Sequence, residues 1–299
     1  MVQTLCKHVA LVLAIIVATT TQPAAAQLSP PKIGIVIMHG KGGSPTKYVA
    51  ELVSSLEGKG YLVANLEMPW SRRRDYDANV AGAEKEVESA LDGLRTKGAT
   101  NLFVAGHSKG GLFALYFGGK HPVDGIVAIA PGGNVGNPVF REKLGESVEQ
   151  ARKLVADGKG DDKTSFLDFE GSKGTYPIVT TPANYLNWFD PDDAMNQSIA
   201  VQNMNPKVPV LLIVPKGDNP ALLKAKQSMF DALPRNPLTK LYEPDSNHTG
   251  APSASIDEIL RWTIEVTNTA NTSHQGTPAS GQSQYTNANP VPRRVSFAP

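Results

Sequence analysis

The chain has one cysteine in 299 residues, Cys6, and it stands ahead of an apolar run close to the N-terminus. Without the leader that residues 1–26 resemble, no thiol remains. That excludes a disulfide framework, a cysteine nucleophile and cysteine-held metal, and it suits an oxidising compartment. The sequence also lacks charge of one sign: 29 basic residues face 28 acidic ones, so neither nucleic acid nor a strongly charged partner is expected. No apolar run is long enough to span a bilayer comfortably. The glycines do not have the spacing of a phosphate-binding loop. No residue set calls for a metal or an organic cofactor, so none is expected. What is present, 40% hydrophobic and 19% charged residues, is the balance of a globular protein with one sizeable core.

Both ends read as lying outside that core. Lys7, the apolar segment Val9 to Ala18 and the small residues Ala24-Ala25-Ala26 have the order of a secretory signal peptide, residues 1–26. The expected location is therefore secreted or periplasmic, with no stable membrane insertion once the leader is removed. From Asn268 to Pro299 the chain is rich in Ser, Thr, Asn, Gln and Pro, and reads as a disordered tail.

Between them, strand and helix patterns alternate. Near-continuous apolar runs at Lys32–Gly40, Tyr61–Met68, Leu102–Gly106, Gly125–Ala130 and Val208–Val214, with a short one at Lys240–Glu243, predict strands of a parallel sheet. Helical spacing recurs over Pro45–Lys59, where Tyr48, Val49, Leu52, Val53 and Leu56 would face inward. It recurs again over Asp77–Lys97, after the elbow described below, and over Ala221–Leu233. The last helix, Ile256–Thr267, follows a capping-box pattern, Ser255-x-x-Glu258. The alternation breaks over residues 134–207, an insertion with one clear helix, Pro138–Ala156, and then a Gly-, Asp- and aromatic-rich piece. These features predict an α/β fold with a doubly wound, mostly parallel sheet and a cap insertion.

The most informative stretch is Leu102–Gly111, LFVAGHSKGG. A buried strand runs into a turn with Ser108 at its tip, and a helix follows. Gly106 and Gly110 lack the Cβ atoms that would clash across such a turn. This resembles the nucleophile elbow of the α/β-hydrolase superfamily. A serine hydroxyl needs a base, and the base an orienting acid. Of six histidines, His8 and His274 fall in the ends, and His107 neighbours the nucleophile with its ring expected to point away. His39 closes the first strand and His121 lies at the far end of the elbow helix. His248 remains, in the loop before the last helix, where the superfamily's chain order puts the base. The acid is expected after the strand at Val208–Val214, and Asp218 fits; its alternative role is a turn or helix cap. Asp245, Asp190, Asp192 and Asp193 are rivals.

An oxyanion would take one hydrogen bond from the backbone N–H of Lys109, directly after the nucleophile. The resemblance puts the second on the N–H of Lys41, in His39-Gly40-Lys41-Gly42-Gly43. It implies a serine hydrolase acting on a small-molecule ester or thioester through an acyl enzyme, with acyl transfer or inactive binding as alternatives. Only Gln27–Pro31 would precede the first strand in the mature chain, so the sheet is expected to be a reduced version. In the cap, Phe166, Phe169, Tyr176, Tyr185, Trp188 and Phe189 are expected to form mainly its own core rather than an acyl pocket. Arg72-Arg73-Arg74 reads as a solvated basic run, with an anion site as the alternative. The glycosylation sequons at Asn196, Asn247 and Asn271 read as chance matches.

Overall fold

The computed structural model describes residues 32–275 except Ser172 and Asn203; the expected leader, and the expected tail beyond Gln275, lie outside the described residues. The chain begins with β1 (Ile33–Met38), α1 (Ala50–Gly58), β2 (Leu62–Leu66) and α2 (Val80–Thr96). The elbow strand β3 (Asn101–His107) leads into α3 (Lys109–Lys120), and β4 (Gly125–Ile129) follows. The insertion holds α4 (Pro138–Ala156), β5 (Thr164–Glu170), β6 (Gly174–Thr180), α5 (Pro182–Phe189) and α6 (Gln197–Gln202). Then come β7 (Val210–Ile213), α7 (Pro220–Asp231), β8 (Lys240–Tyr242), α8 (Ala251–Ala254) and α9 (Ile256–Gln275).

Six strands form one sheet in the order β2-β1-β3-β4-β7-β8, and every neighbouring pair is parallel. β1, β3, β4 and β7 are buried along their whole length, which is why they read as unbroken apolar runs. The order places β3 at the centre, with its carboxyl end, and Ser108, at the middle of one sheet edge. Ligands of such sheets gather beyond that edge.

Helix starts follow local chemistry. Asn137-Pro138, Thr181-Pro182 and Asn219-Pro220 open α4, α5 and α7 with a capping side chain followed by proline at the first turn. Asn79 caps α2 by accepting the Gly82 N–H at 2.8 Å.

Several expectations need correction. α1 begins only at Ala50, and Tyr48 is not on an inward face: it is 45% exposed with φ 65°. The capping box does not form, because α8 runs directly into α9. Ser255 Oγ is buried without a partner among the described residues, and Glu258 turns to Lys240 and Arg261. α9 continues through residues 268–275, the first part of the segment expected to be disordered. The insertion is more ordered than its pattern suggests: β5 and β6 form an antiparallel hairpin, Phe166 opposite Ile178 and Asp168 opposite Tyr176.

The cap aromatics form a core. The rings of Phe166, Tyr185 and Phe189 stack in series at 4.4 and 4.5 Å, all three buried. Trp188 packs its ring 5.8 Å from Phe113 of α3 and 5.5 Å from Trp70, and its indole N–H donates to Ala78 O. The cap is therefore keyed into the main core through one tryptophan.

Candidate active site

Ser108 caps α3 with φ 54° and ψ −117°, a strained conformation for a residue with a side chain. The neighbouring glycines make the turn possible. A Cβ on Gly106 would sit 2.0 Å from Gly110 O, and one on Gly110 would sit 2.5 Å from Met38 O. The turn is held by Ser108 N–H donating to Ile129 O and Gly132 N–H donating to Ser108 O. Gly111 and Leu112 N–H donate to Ser108 O, so the N–H groups of Lys109 and Gly110 are the ones left at this end of the helix without a backbone acceptor among the described residues.

His248 Nδ1 lies 2.9 and 3.0 Å from the two oxygens of Asp218. A carboxylate accepts, so Nδ1 carries the proton, and in the neutral ring Nε2 keeps the lone pair that a general base needs. The Asp218 side chain is fully buried, whereas that of His248 is about one-third exposed. Asp218 also accepts the backbone N–H of Asn219 at 2.7 Å and its side-chain amide at 2.8 Å. The cap of α7 is Asn219, whose Oδ1 takes the Leu222 N–H, so Asp218 is spared that task. Gly217 N–H donates to Ser246 O at 2.9 Å and Lys216 N–H to Pro244 O at 3.0 Å, which locks the acid's loop to the histidine's. A Cβ on Gly217 would meet Ser246 O at 2.9 Å.

The rival acids are elsewhere or otherwise engaged. Asp190 pairs with Arg152, Asp192 with Arg141, and the Asp193 carboxylate accepts the Ala194 N–H. Asp245 is exposed and has no hydrogen bond to His248 among the described residues. No hydrogen bond joins Ser108 Oγ to His248 among the described residues either. In an unliganded site that contact is commonly loose and tightens when substrate binds.

His107, set aside on sequence, proves to be part of the assembly. Its Nε2 lies 2.8 Å from His248 O, and the two rings are 4.9 Å apart between centroids. A carbonyl only accepts, so His107 is the Nε2–H tautomer, with Nδ1 buried and without a partner among the described residues. Burial, then the neighbouring His248, pulls its pKa down to about 4, so it stays neutral at pH 7. His39 is likewise neutral: Nε2 accepts the Met68 N–H at 3.1 Å and Nδ1–H donates to Gly40 O at 2.7 Å. Burial lowers its pKa too. His39 thereby fixes the first peptide of the Lys41 loop, and Gly42 N–H donating to Trp70 O fixes the far side.

Two lysines near Ser108 turn away from water. Lys41 Nζ donates to Asp168 Oδ1 of the cap at 2.5 Å and to Phe169 O at 2.9 Å. Lys109 is fully enclosed, its Nζ without a hydrogen-bond partner among the described residues and 4.9 to 5.2 Å from the ring centres of Phe189, Tyr76 and Trp188. Burial, and next the Lys41 charge, bring its pKa down to about 7. Neither side chain has a signal in a pattern-based reading, which puts lysine at the surface.

Arg73 and Arg74 are committed to Glu67, Asp77 and Glu86, which leaves little of the basic run for an anion. The cap carries an open hollow of about 140 Å³ lined by Val135, Phe140, Leu144, Val148 and Phe189 among others, with Arg141 and Arg152 also on its wall.

No protein-family model matches the chain, and no curated protein matches its sequence. Solved structures do match in shape. The monoacylglycerol lipase of Paleococcus ferrophilus aligns with a TM-score of 0.55 at 20% identity, over 78% of this chain and 94% of that one. Est1E from Butyrivibrio proteoclasticus, solved with ferulic acid bound, aligns with a TM-score of 0.54 at 14% identity, over 80% and 90%. The α/β hydrolase GrgF from Penicillium sp. sh18 reaches 0.58 at 14% identity, over 79% and 89%. The chain has the α/β-hydrolase fold.

Proposed function

We propose that this protein is a serine hydrolase that cleaves an ester-like bond, a carboxylic ester or thioester, through an acyl enzyme. The observation that carries the reading is the buried Asp218 carboxylate on His248 Nδ1, next to a serine held at φ 54° on the elbow. In this reading His248 Nε2 takes the proton of Ser108 as Oγ attacks the acyl carbon. The backbone N–H groups of Lys41 and Lys109 donate to the oxyanion, each worth about 3 kcal/mol to the transition state. The imidazolium, steadied by Asp218, returns the proton to the departing alcohol or thiol. Water, deprotonated by His248, then releases the acid. Lipases and esterases among the structures of similar shape support the fold's use for this chemistry, though fold alone does not assign it. Export to the periplasm or outside the cell belongs to the same reading and rests on the Lys7, Val9–Ala18 and Ala24–Ala26 pattern.

The test is covalent labelling. A fluorophosphonate should modify Ser108 in the folded wild type, and Ser108→Ala should abolish the adduct. A folded protein that stays unlabelled by probes of several sizes, and turns over no ester, would instead be a binding protein on this fold. Product analysis with added acceptor alcohols separates hydrolysis from acyl transfer.

A further inference from the structure

Asp168 is fully buried in the cap hairpin, and four donors converge on its carboxylate. Lys41 Nζ and the Phe169 N–H reach Oδ1 at 2.5 and 2.6 Å, while the hydroxyls of Tyr76 and Tyr176 reach Oδ2 at 3.0 and 3.1 Å. Lys41 and Asp168 are 127 residues apart in sequence, so this contact is made only by the folded cap. The Lys41 side chain is 8% exposed.

A buried ion pair is weak support for stability, because desolvating both charges offsets most of their attraction; an apolar pair of the same shape does about as well. What the pair supplies is position. Lys41 stands between glycines, in a loop with few side chains to pack. The Gly40 carbonyl, in the same peptide as the Lys41 N–H, accepts from His39 Nδ1–H and Gly43 N–H, and Gly42 N–H donates to Trp70 O; the Lys41 ammonium adds a tether from this loop to the cap hairpin. The hairpin is tied in turn to the loop before α2: Val179 N–H donates to Asp75, and Thr180 Oγ1 and the Asn184 amide both donate to Tyr76 O.

We propose that Asp168 is a positioning residue of the oxyanion site: through the Lys41 ammonium it sets the Gly40–Gly43 loop, so that a folded cap is required for full transition-state binding. This rests on the reading of the Lys41 N–H as an oxyanion donor. A donor moved by about 1 Å can cost on the order of a hundredfold in rate.

Lys41→Met isolates the effect, because it keeps the backbone N–H and removes only the tether. On a small ester such as p-nitrophenyl acetate, kcat should fall about ten- to hundredfold with KM little changed. Affinity for a trifluoromethyl ketone, which forms the tetrahedral oxyanion with the serine, should fall by the same factor. Asp168→Asn should give the same pattern, and the double variant should be no worse than the weaker single one. Lys173→Met, which removes an exposed ion pair of the same hairpin, should keep kcat and ketone affinity. If Asp168→Asn fails to fold, Lys41→Met alone decides. A Lys41→Met protein with lowered melting temperature but wild-type kcat and ketone affinity overturns the proposal. A wild type that takes no fluorophosphonate and hydrolyses no ester fails the parent reading instead, and this proposal with it.

Discussion

His107 Nε2–H donates to the carbonyl of His248 at 2.8 Å, so the residue before Ser108 holds the loop of the proposed base. Strand end and histidine loop are thus registered to each other from both sides: His107 grips the backbone of residue 248 while Asp218 grips its ring. The Nε2 lone pair of His248 is aimed by two contacts from two strand ends.

The bracing contact predicts a graded response. His107→Phe keeps the ring volume and loses the donor, so kcat should fall by about tenfold with the melting temperature nearly unchanged. His107→Gln restores an N–H donor and should recover most of the loss. Steady-state kinetics on one ester substrate checks both; equal activity in the Phe variant would mean the base needs no brace.

Asp218→Asn keeps the size of the acid but removes its charge and favours the wrong imidazole tautomer. The expected fall in kcat is about 10³- to 10⁴-fold with little change in KM. Asp245→Asn and Asp192→Asn, both exposed and neither hydrogen-bonded to the imidazole among the described residues, should each cost less than about tenfold. A crippled Asp245 or Asp192 variant beside an active Asp218→Asn would move the acid.

The cap aromatics should behave as a core. Tyr185→Ala opens a void between the stacked rings of Phe166 and Phe189, and should cost about 3–5 kcal/mol by chemical denaturation. The ranking of ester chain lengths should stay as in the wild type. A large shift in that ranking at unchanged stability would make the ring a pocket wall.

How much of this was legible in the sequence depended on whether a residue obeyed the usual patterns. β1, β3, β4 and β7 are buried on both faces and show it as apolar runs; the elbow shows itself because Gly106 and Gly110 have no room for a Cβ. The acid and base candidates could be named because each follows a strand end. The β5–β6 hairpin was hidden because its buried face carries Asp168 where alternation demands an apolar residue. Lys41 and Lys109 were read for their backbone N–H groups alone, since nothing local marks a lysine whose partners come from the cap. The contact of His107 went unread for a related reason: its partner is a carbonyl 141 residues away.

Lys109 predicts a pH dependence of stability. Its ordinary pKa of 10.5, kept in the unfolded chain, falls to about 7 in the fold, chiefly through burial and then the Lys41 charge, with Asp168 opposing. The faces around it are Tyr76 from the loop before α2 and Trp188 and Phe189 from α5. Between about pH 7 and 10.5 the unfolded chain binds the proton and the folded one does not, so stability from this group rises with pH across that window. Below pH 7 both states are protonated and the full cost of the buried ammonium is present. Lys109→Met removes this dependence while keeping the backbone N–H. Its stability relative to wild type should therefore be more favourable at pH 6 than at pH 9, by on the order of 2–3 kcal/mol. Urea unfolding at the two pH values measures it. A difference that does not change with pH would mean the three ring faces hold the ammonium charged throughout.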